Sequence, residues 1–444
     1  IDKAEPAIEV SGNTADYLTA DTVTITPTVG VSGIASITVS KDNGEPETIS
    51  ANGDGTYTYT ITENGTYAFV LTNGSGVTAT DRITYTNIDG ATPAAVITAT
   101  AGEAAYTGGA WTNSDITLSV SNSTANLGTT IFEYKVDDGE WQTYSDAITV
   151  SEETNGTTYT FRATSEAGVV STEVSITVRL DKTAPDGDIQ IEENSVKTFI
   201  NTVTFGLFFN ENVDVAIASE DTGSGVQSTW YYRSNTALTE EQVAALTDAD
   251  WTAYTGTIVV TAADAETFVY YVKIADIAGN EICFASNGAT FDLTDPVISG
   301  VTNGETYYTT QKVQVTDDNL STVTLDEAAV GSEIILDGNI STEHTIVATD
   351  KAGNTTTVTV IMKPTTSLND AVEGITPENV TSGDKEAIED YLDELEELLK
   401  DENLTDEEKE IIQGLIDDAQ DLLDKIDEAE QAANTENIQQ AQDI

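Results

Sequence analysis

Leu180-Asp181-Lys182-Thr183-Ala184-Pro185 is the stretch that decides how this chain is built. An apolar residue, an Asp, three further residues and a Pro recur at Ile1-Asp2 to Pro6, Ile88-Asp89 to Pro93 and Phe291-Asp292 to Pro296. The prolines at 6, 93, 185 and 296 stand 87, 92 and 111 residues apart, about one β-sandwich each. Pro cannot donate to a strand ladder, so it suits the exit from one domain's last strand and the entry to the next domain's first. Met362-Lys363-Pro364 is a fifth, degenerate junction.

A second motif precedes each unit's last strand. Asp276-Ile277-Ala278-Gly279-Asn280 and Asp350-Lys351-Ala352-Gly353-Asn354 are its clear copies, Ser165-Glu166-Ala167-Gly168 is a weaker one, and Asn73-Gly74-Ser75-Gly76 holds the same place in the first unit. Each reads as a hairpin whose Gly supplies a positive φ and whose Asp or Asn bonds the turn backbone. Units two and three also share Trp141 and Tyr144 with Trp251 and Tyr254, positions that suggest a core role. The third unit adds an insert over about 238–247, opened by Thr239 with Gln242 three residues on, a helix start. The fourth unit is about 68 residues long, which predicts a missing hairpin.

These joints and turns, together with Asp221-Thr222-Gly223-Ser224-Gly225-Val226, resemble the bacterial immunoglobulin-like repeats of Gram-positive, particularly clostridial, surface proteins. The resemblance covers about 360 residues and is strongest in units three and four. It implies a stalk or adhesin, with no ligand and no catalytic residues to transfer.

After Pro364 the apolar period becomes helical. Ile388, Tyr391, Leu392, Leu395, Leu398 and Leu399 form one stripe, and Ile411, Ile412, Leu415, Ile416, Ala419, Leu422, Leu423 and Ile426 form another. The first helix opens near Thr381 or Ser382, and the second at Thr405-Asp406-Glu407-Glu408, a capping box. Two stripes facing across Asp401-Glu402-Asn403 predict an antiparallel hairpin, with Leu368, Ala371, Val372 and Ile375 as a third side. The segment 371–380 is echoed at 435–438 and 441–444, which reads as the stub of a following module.

The chemistry-bearing residues are sparse. The 444 residues carry 77 carboxylates against 17 Lys and Arg, a formal charge of −60, with one Cys, one His and one Met. Nucleic acid and anionic lipid need clustered basic side chains, so both are excluded as partners of a basic face. A disulfide framework, a zinc cluster and a His-based triad are excluded by count. No stretch approaches the roughly 18 apolar residues of a membrane span. Cys283, between apolar neighbours, reads as a buried small hydrophobe, and His344 as a half-exposed residue ahead of a strand. The chain is therefore expected to be non-enzymatic.

Three sets of residues remain as site candidates. Asp2, Asp89, Asp181 and Asp292 recur at the joints, where calcium would find oxygen ligands. The simpler reading, which is preferred, has each Asp capping the turn before its Pro and no cofactor at all. Trp230-Tyr231-Tyr232 would suit a carbohydrate platform, although strand alternation should bury at least one of the three. The helical end, with 26 acidic residues against 4 Lys over 365–444, reads as a solvated face, with a docking surface for a basic partner as the sharper alternative.

The expected fold is mainly β: tandem immunoglobulin-like β-sandwiches followed by a C-terminal antiparallel α-helical hairpin or three-helix module. The expected domains are residues 1–90, 91–182, 183–293, a short 294–364 and the acidic helical 365–444. Short Pro-bearing linkers predict a semi-rigid rod of roughly 35–40 Å per sandwich. The expected role is a monomeric, extended adhesin or stalk within a longer, wall-attached bacterial surface protein, contacting a host or neighbouring-cell protein or glycan. The alternatives are a specific binder of a host serum protein and a carbohydrate-binding array.

Overall fold

The computed structural model describes residues 3–402 and 404–442. It is a series of antiparallel β-sandwiches of immunoglobulin type followed by a helical module. By their contacts the residues group into two compact units, one of Ile1–Gly187, Ser219–Thr229 and Lys273–Cys283, the other of Asp188–Ala218, Trp230–Val272 and Phe284–Ile444.

The repeated prolines stand at the thresholds of strands. Pro6 precedes Ala7–Ser11, Pro185 precedes Asp186–Ile191, Pro296 precedes Val297–Ser299, and Pro93 lies two residues before Ala95–Ala101. At these four joints a residue that cannot donate to a ladder stands where pairing has not begun.

The first sandwich pairs a sheet of Ala7–Ser11, Asp21–Thr28 and Tyr57–Ile61 with a sheet ordered Glu47–Ile49, Ile34–Lys41, Gly65–Asn73 and Thr78–Tyr85. Alternation sends Val23 and Ile25 from one sheet and Ile37, Val39, Phe69 and Leu71 from the other into one core. The second sandwich repeats the plan around Ile116, Leu118, Phe161, Val178 and Leu180. Its short strand Trp111–Thr112 pairs in parallel with Arg179 and Leu180 of Val174–Leu180.

In the third sandwich the long strand Thr267–Asp276 is buried almost continuously. The cause is the insert, which forms a short helix, α1 (Glu240–Ala244), closed at its start by a capping box between Thr239 and Gln242. Val243 of α1 packs on Val269 and Tyr271, so the outward face of that strand is covered too. The fourth sandwich does not lack a hairpin. Eight strands lie between Val297 and Met362, and several are only two to four residues long; the unit saves length by shortening strands.

At the C-terminal end a 3₁₀ segment, Thr365–Val372, leads to α2 (Lys385–Leu398) and α3 (Asp406–Gln442). Thr405 opens α3 as expected: its N donates to Glu408 Oε2 at 2.7 Å, and Glu408 N donates to Thr405 Oγ1 at 3.2 Å. Ile388, Leu395, Ile412, Ile416 and Ile426 form the core, and Leu368 and Val372 supply its third side. Residues 435–438, the echo of 371–380, continue α3, and residues 443 and 444 lie outside the described residues.

Three single-residue readings also change. Trp141 is half-buried, with the Arg162 guanidinium 4.0 Å and the Lys135 ammonium 4.9 Å from its ring centre, so cations cover it in place of a core. Cys283 is exposed, because alternation in Glu281–Ser286 points Phe284 inward and the sulfur outward. His344 lies within the strand Thr342–Asp350, not ahead of it, with Nδ1 2.7 Å from Asp326 Oδ2.

Candidate metal centres at the joints

The three described joint carboxylates are built alike. Oδ1 of Asp89, Asp181 and Asp292 accepts from the main-chain N of the residue two positions on: Ala91 at 3.0 Å, Thr183 at 3.1 Å and Thr294 at 3.3 Å. This is the turn-capping role that the sequence suggests. Oδ2 reaches forward into the next sandwich, to Leu127 N and Asn126 Nδ2, to Ser224 N at 2.6 Å, and to Asn319 Nδ2 at 2.7 Å. Asp2 lies outside the described residues.

Each joint is also gripped from behind. Asn64 exchanges two hydrogen bonds with the backbone of Ile88. Glu153 Oε1 accepts from Lys182 N and Thr183 Oγ1, and Asp264 Oδ1 accepts from Leu293 N.

At two of the three joints the carboxylate has company. Asp181 meets Asp221 and Asp276, and Asp292 meets Asp317 and Asp350, with one oxygen from each residue within 4.8 Å of the others. Asp221 and Asp317 come from an early loop of the following sandwich, whereas Asp276 and Asp350 open its Asp-x-Ala-Gly-Asn turn. The turn Asp is fixed by its own hairpin: Asp276 Oδ1 accepts from Gly279 N at 2.7 Å and Asn280 N at 2.8 Å, and Asp350 Oδ1 is bonded in the same way by Gly353 and Asn354. Gly279 and Gly353 have φ of 97° and 94°, so the turn needs glycine there. Gly223 approaches so closely that a Cβ on it would stand 2.3 Å from Asp181 Oδ2.

Asp181, Asp276, Asp292 and Asp350 are buried, and Asp221 and Asp317 are half-buried. Two unit charges about 5 Å apart repel by about 3 kcal/mol at an effective dielectric constant of 20. Burial, followed by the charges of Asp292, Asp350 and Asp318, pushes the Asp317 carboxyl above its ordinary range against the hydrogen bond it accepts from Asn319. A divalent cation would reverse that balance. Calcium takes oxygen ligands at about 2.3–2.6 Å, so two oxygens on opposite sides of the ion stand at most about 5 Å apart. The spacing of both triads fits. Their all-oxygen composition, without the imidazole or thiolate that zinc favours, suits a hard cation.

The first joint differs in a way that explains itself. Ser165 occupies the turn position held by Asp276 and Asp350, and Asp89 spends its second oxygen on Asn126 and Leu127. Hydrogen bonds to Leu127, Asn126 and Ala91 outweigh burial and hold the Asp89 carboxyl below its usual range.

The aromatic candidates do not share a face. Tyr231 packs on Tyr270 with ring centres 5.7 Å apart, and Tyr232 packs edge-on to Trp251 at 6.4 Å. Trp230, Tyr231 and Tyr232 are all half-buried; none is fully buried, because the insert and its neighbours shield both sides of the strand in part.

No protein-family model matches the chain, and no curated protein does. Among solved structures it is similar to three N-terminal domains of the bacteriophage RB49 Highly Immunogenic Outer Capsid protein, at 11% identity and a TM-score of 0.30 over 66% of this chain and 99% of that one. It is also similar to a structure of a 1.5-MDa bacterial ice-binding adhesin, at 17% identity and a TM-score of 0.26 over 66% of this chain and 100% of that one. Extracellular cadherin domains 3–6 of protocadherin gamma B2 match at 11% identity and a TM-score of 0.28, over 78% of this chain and 96% of that one.

Proposed function

We propose that this chain is a non-enzymatic, extracellular adhesin-type array of a bacterial surface, with sandwiches at residues 1–90, 91–182, 183–293 and 294–364 and a helical module at 365–444. Calcium braces its second and third joints. The observation that carries this reading is the recurrence, at consecutive joints, of one carboxylate from the linker and two from the sandwich that follows. An ion shared by three such groups would tie linker to loop to hairpin turn. The first joint, which relies on Asn126 and Leu127, would stay independent of calcium.

In this account no residue does covalent chemistry. Asp276 and Asp350 are held rigid by their turns, Asp181 and Asp292 arrive with the linker, and Asp221 and Asp317 close the third side. Small-angle scattering of the full chain tests the bracing. The distribution of radii of gyration should be narrower in calcium than in EDTA; superimposable curves would mean that hydrogen bonds alone hold the joints.

A further inference from the structure

An Asn-Gly step places a side-chain amide carbon one residue from a main-chain nitrogen that no side chain shields. The chain has seven such steps, and the fold restrains six of them. Gly44 N donates to Lys41 O at 2.8 Å, Gly74 N to Gly33 O at 3.0 Å, Gly288 N to Thr204 O at 2.9 Å and Gly304 N to Thr359 O at 2.7 Å. Gly156 N donates to Thr154 Oγ1 at 3.3 Å. Asn64 keeps both ends of its amide on the backbone of Ile88. The seventh step is open. Asn52 and Gly53 are exposed in the loop between Glu47–Ile49 and Tyr57–Ile61, and Gly53 N meets no acceptor among the described residues. Asn52 Nδ2 donates to Thr56 Oγ1 at 2.9 Å and Thr58 Oγ1 at 3.3 Å, bonds that engage the amide nitrogen and leave the neighbouring carbon open to attack.

We propose that Asn52 is the site at which the folded chain modifies itself, by spontaneous deamidation to aspartate and isoaspartate. Gly53 N attacks Asn52 Cγ and a new N–Cγ bond forms. The proton of Gly53 N passes through water to Nδ2, the Cγ–Nδ2 bond breaks, and the nitrogen leaves as ammonia. Water then opens the cyclic imide at either carbonyl, which gives aspartate or isoaspartate. Water is the only co-reactant. At the other steps the glycine N–H must first give up its hydrogen bond, or the asparagine amide must leave the backbone that holds it, and either requirement raises the barrier. Each event adds a carboxylate to the loop that already holds Asp54, and the isoaspartyl product adds one carbon to the main chain. The reaction uses none of the joint carboxylates, so it stands or falls independently of calcium.

The test ages the full chain in mildly alkaline buffer, once folded and once unfolded in urea, and follows all seven steps by peptide mapping with mass spectrometry. Isoaspartate is read separately by enzymatic methylation. In the folded chain Asn52 should react at least about fivefold faster than any other Asn-Gly step, the factor that one hydrogen bond supplies. In urea the seven rates should draw together, because the restraints are gone. Gly53→Val places a branched side chain in open space at an ordinary φ, so it should leave the melting temperature unchanged while suppressing isoaspartate at Asn52. A second step as fast as Asn52 in the folded chain, a preference for Asn52 that persists in urea, or isoaspartate at Asn52 undiminished by Gly53→Val would each overturn the proposal.

Discussion

The side-chain amide of Asn280 donates to the main-chain carbonyl of Asp181, 3.0 Å away and 99 residues earlier in the chain. Asn354 does the same for Asp292, at 2.8 Å. Each Asn also bonds the Asp that opens its own turn, at 2.7 Å. The last residue of the Asp-x-Ala-Gly-Asn motif is therefore a clasp between a sandwich's final hairpin and the linker that enters the sandwich. The motif shapes a turn and also fastens a joint.

Replacing that clasp should loosen the joint without unfolding the sandwich core. Asn280→Ala removes the bonds to Asp181 and Thr183 and leaves Asp276 its two main-chain donors. A loss of about 1–2 kcal/mol is expected, with faster proteolysis at Lys182. Cleavage at the wild-type rate would show that the linker is held by other bonds, such as those to Glu153.

Gly223 tests the triad sterically. An alanine there would push its Cβ against the Asp181 carboxylate, displacing it from Asp221 and Asp276. Gly223→Ala should destabilise the chain by about 1–3 kcal/mol and abolish any rise in melting temperature on adding calcium at that joint. A calcium response of wild-type size would mean that Asp181 is not a ligand.

Asp317 and Asp89 should respond to pH with opposite signs. The folded-state pKa of Asp317 is raised, so its contribution to stability is complete below the unfolded value of 3.8 and is lost as pH rises through the folded value. That of Asp89 is lowered, so its contribution is present above 3.8 and is lost as pH falls through the folded value. Carboxyl NMR titration in EDTA should place Asp317 above Asp89. At neutral pH without calcium, Asp317→Asn should raise the melting temperature by a few degrees; a fall would show that the three charges are not in conflict.

The helical module should be the most salt-sensitive part of the chain. Its few ion pairs, such as Lys385 with Asp427 at 2.8 Å, leave most of its carboxylates to repel one another. Hydrogen exchange in α2 and α3 should slow in 1 M NaCl more than in the sandwich strands, because the Debye length falls to about 3 Å. Equal slowing throughout would make the charge of that module ordinary surface.

Local signals made most of the fold legible. A Pro four residues after the Asp of an apolar-Asp pair, a Gly turn between alternating runs, and Thr405 with Glu408 each specify backbone geometry within one turn, so each could be read without a structure. The triads could not, because Asp181, Asp221 and Asp276 come from three separate places in the chain and meet only through sheet topology. A faint signal existed: the two units with Asp at the turn also carry an Asp in the early loop, whereas the second unit has Ser165 at its turn. The match of Trp141 to Trp251 misled for a related reason, for Trp251 alone packs against a core. They match in sequence, yet Arg162 and Lys135 flank the first, while the second packs on Tyr232 beside the insert.

Isothermal titration of the full chain with calcium, in a buffer freed of metal by chelation, bears most directly on the braced array. Two ions should bind per chain, one should be lost in Asp276→Asn and both in Asp276→Asn with Asp350→Asn. Absence of saturable binding, or a stoichiometry untouched by those substitutions, would contradict it.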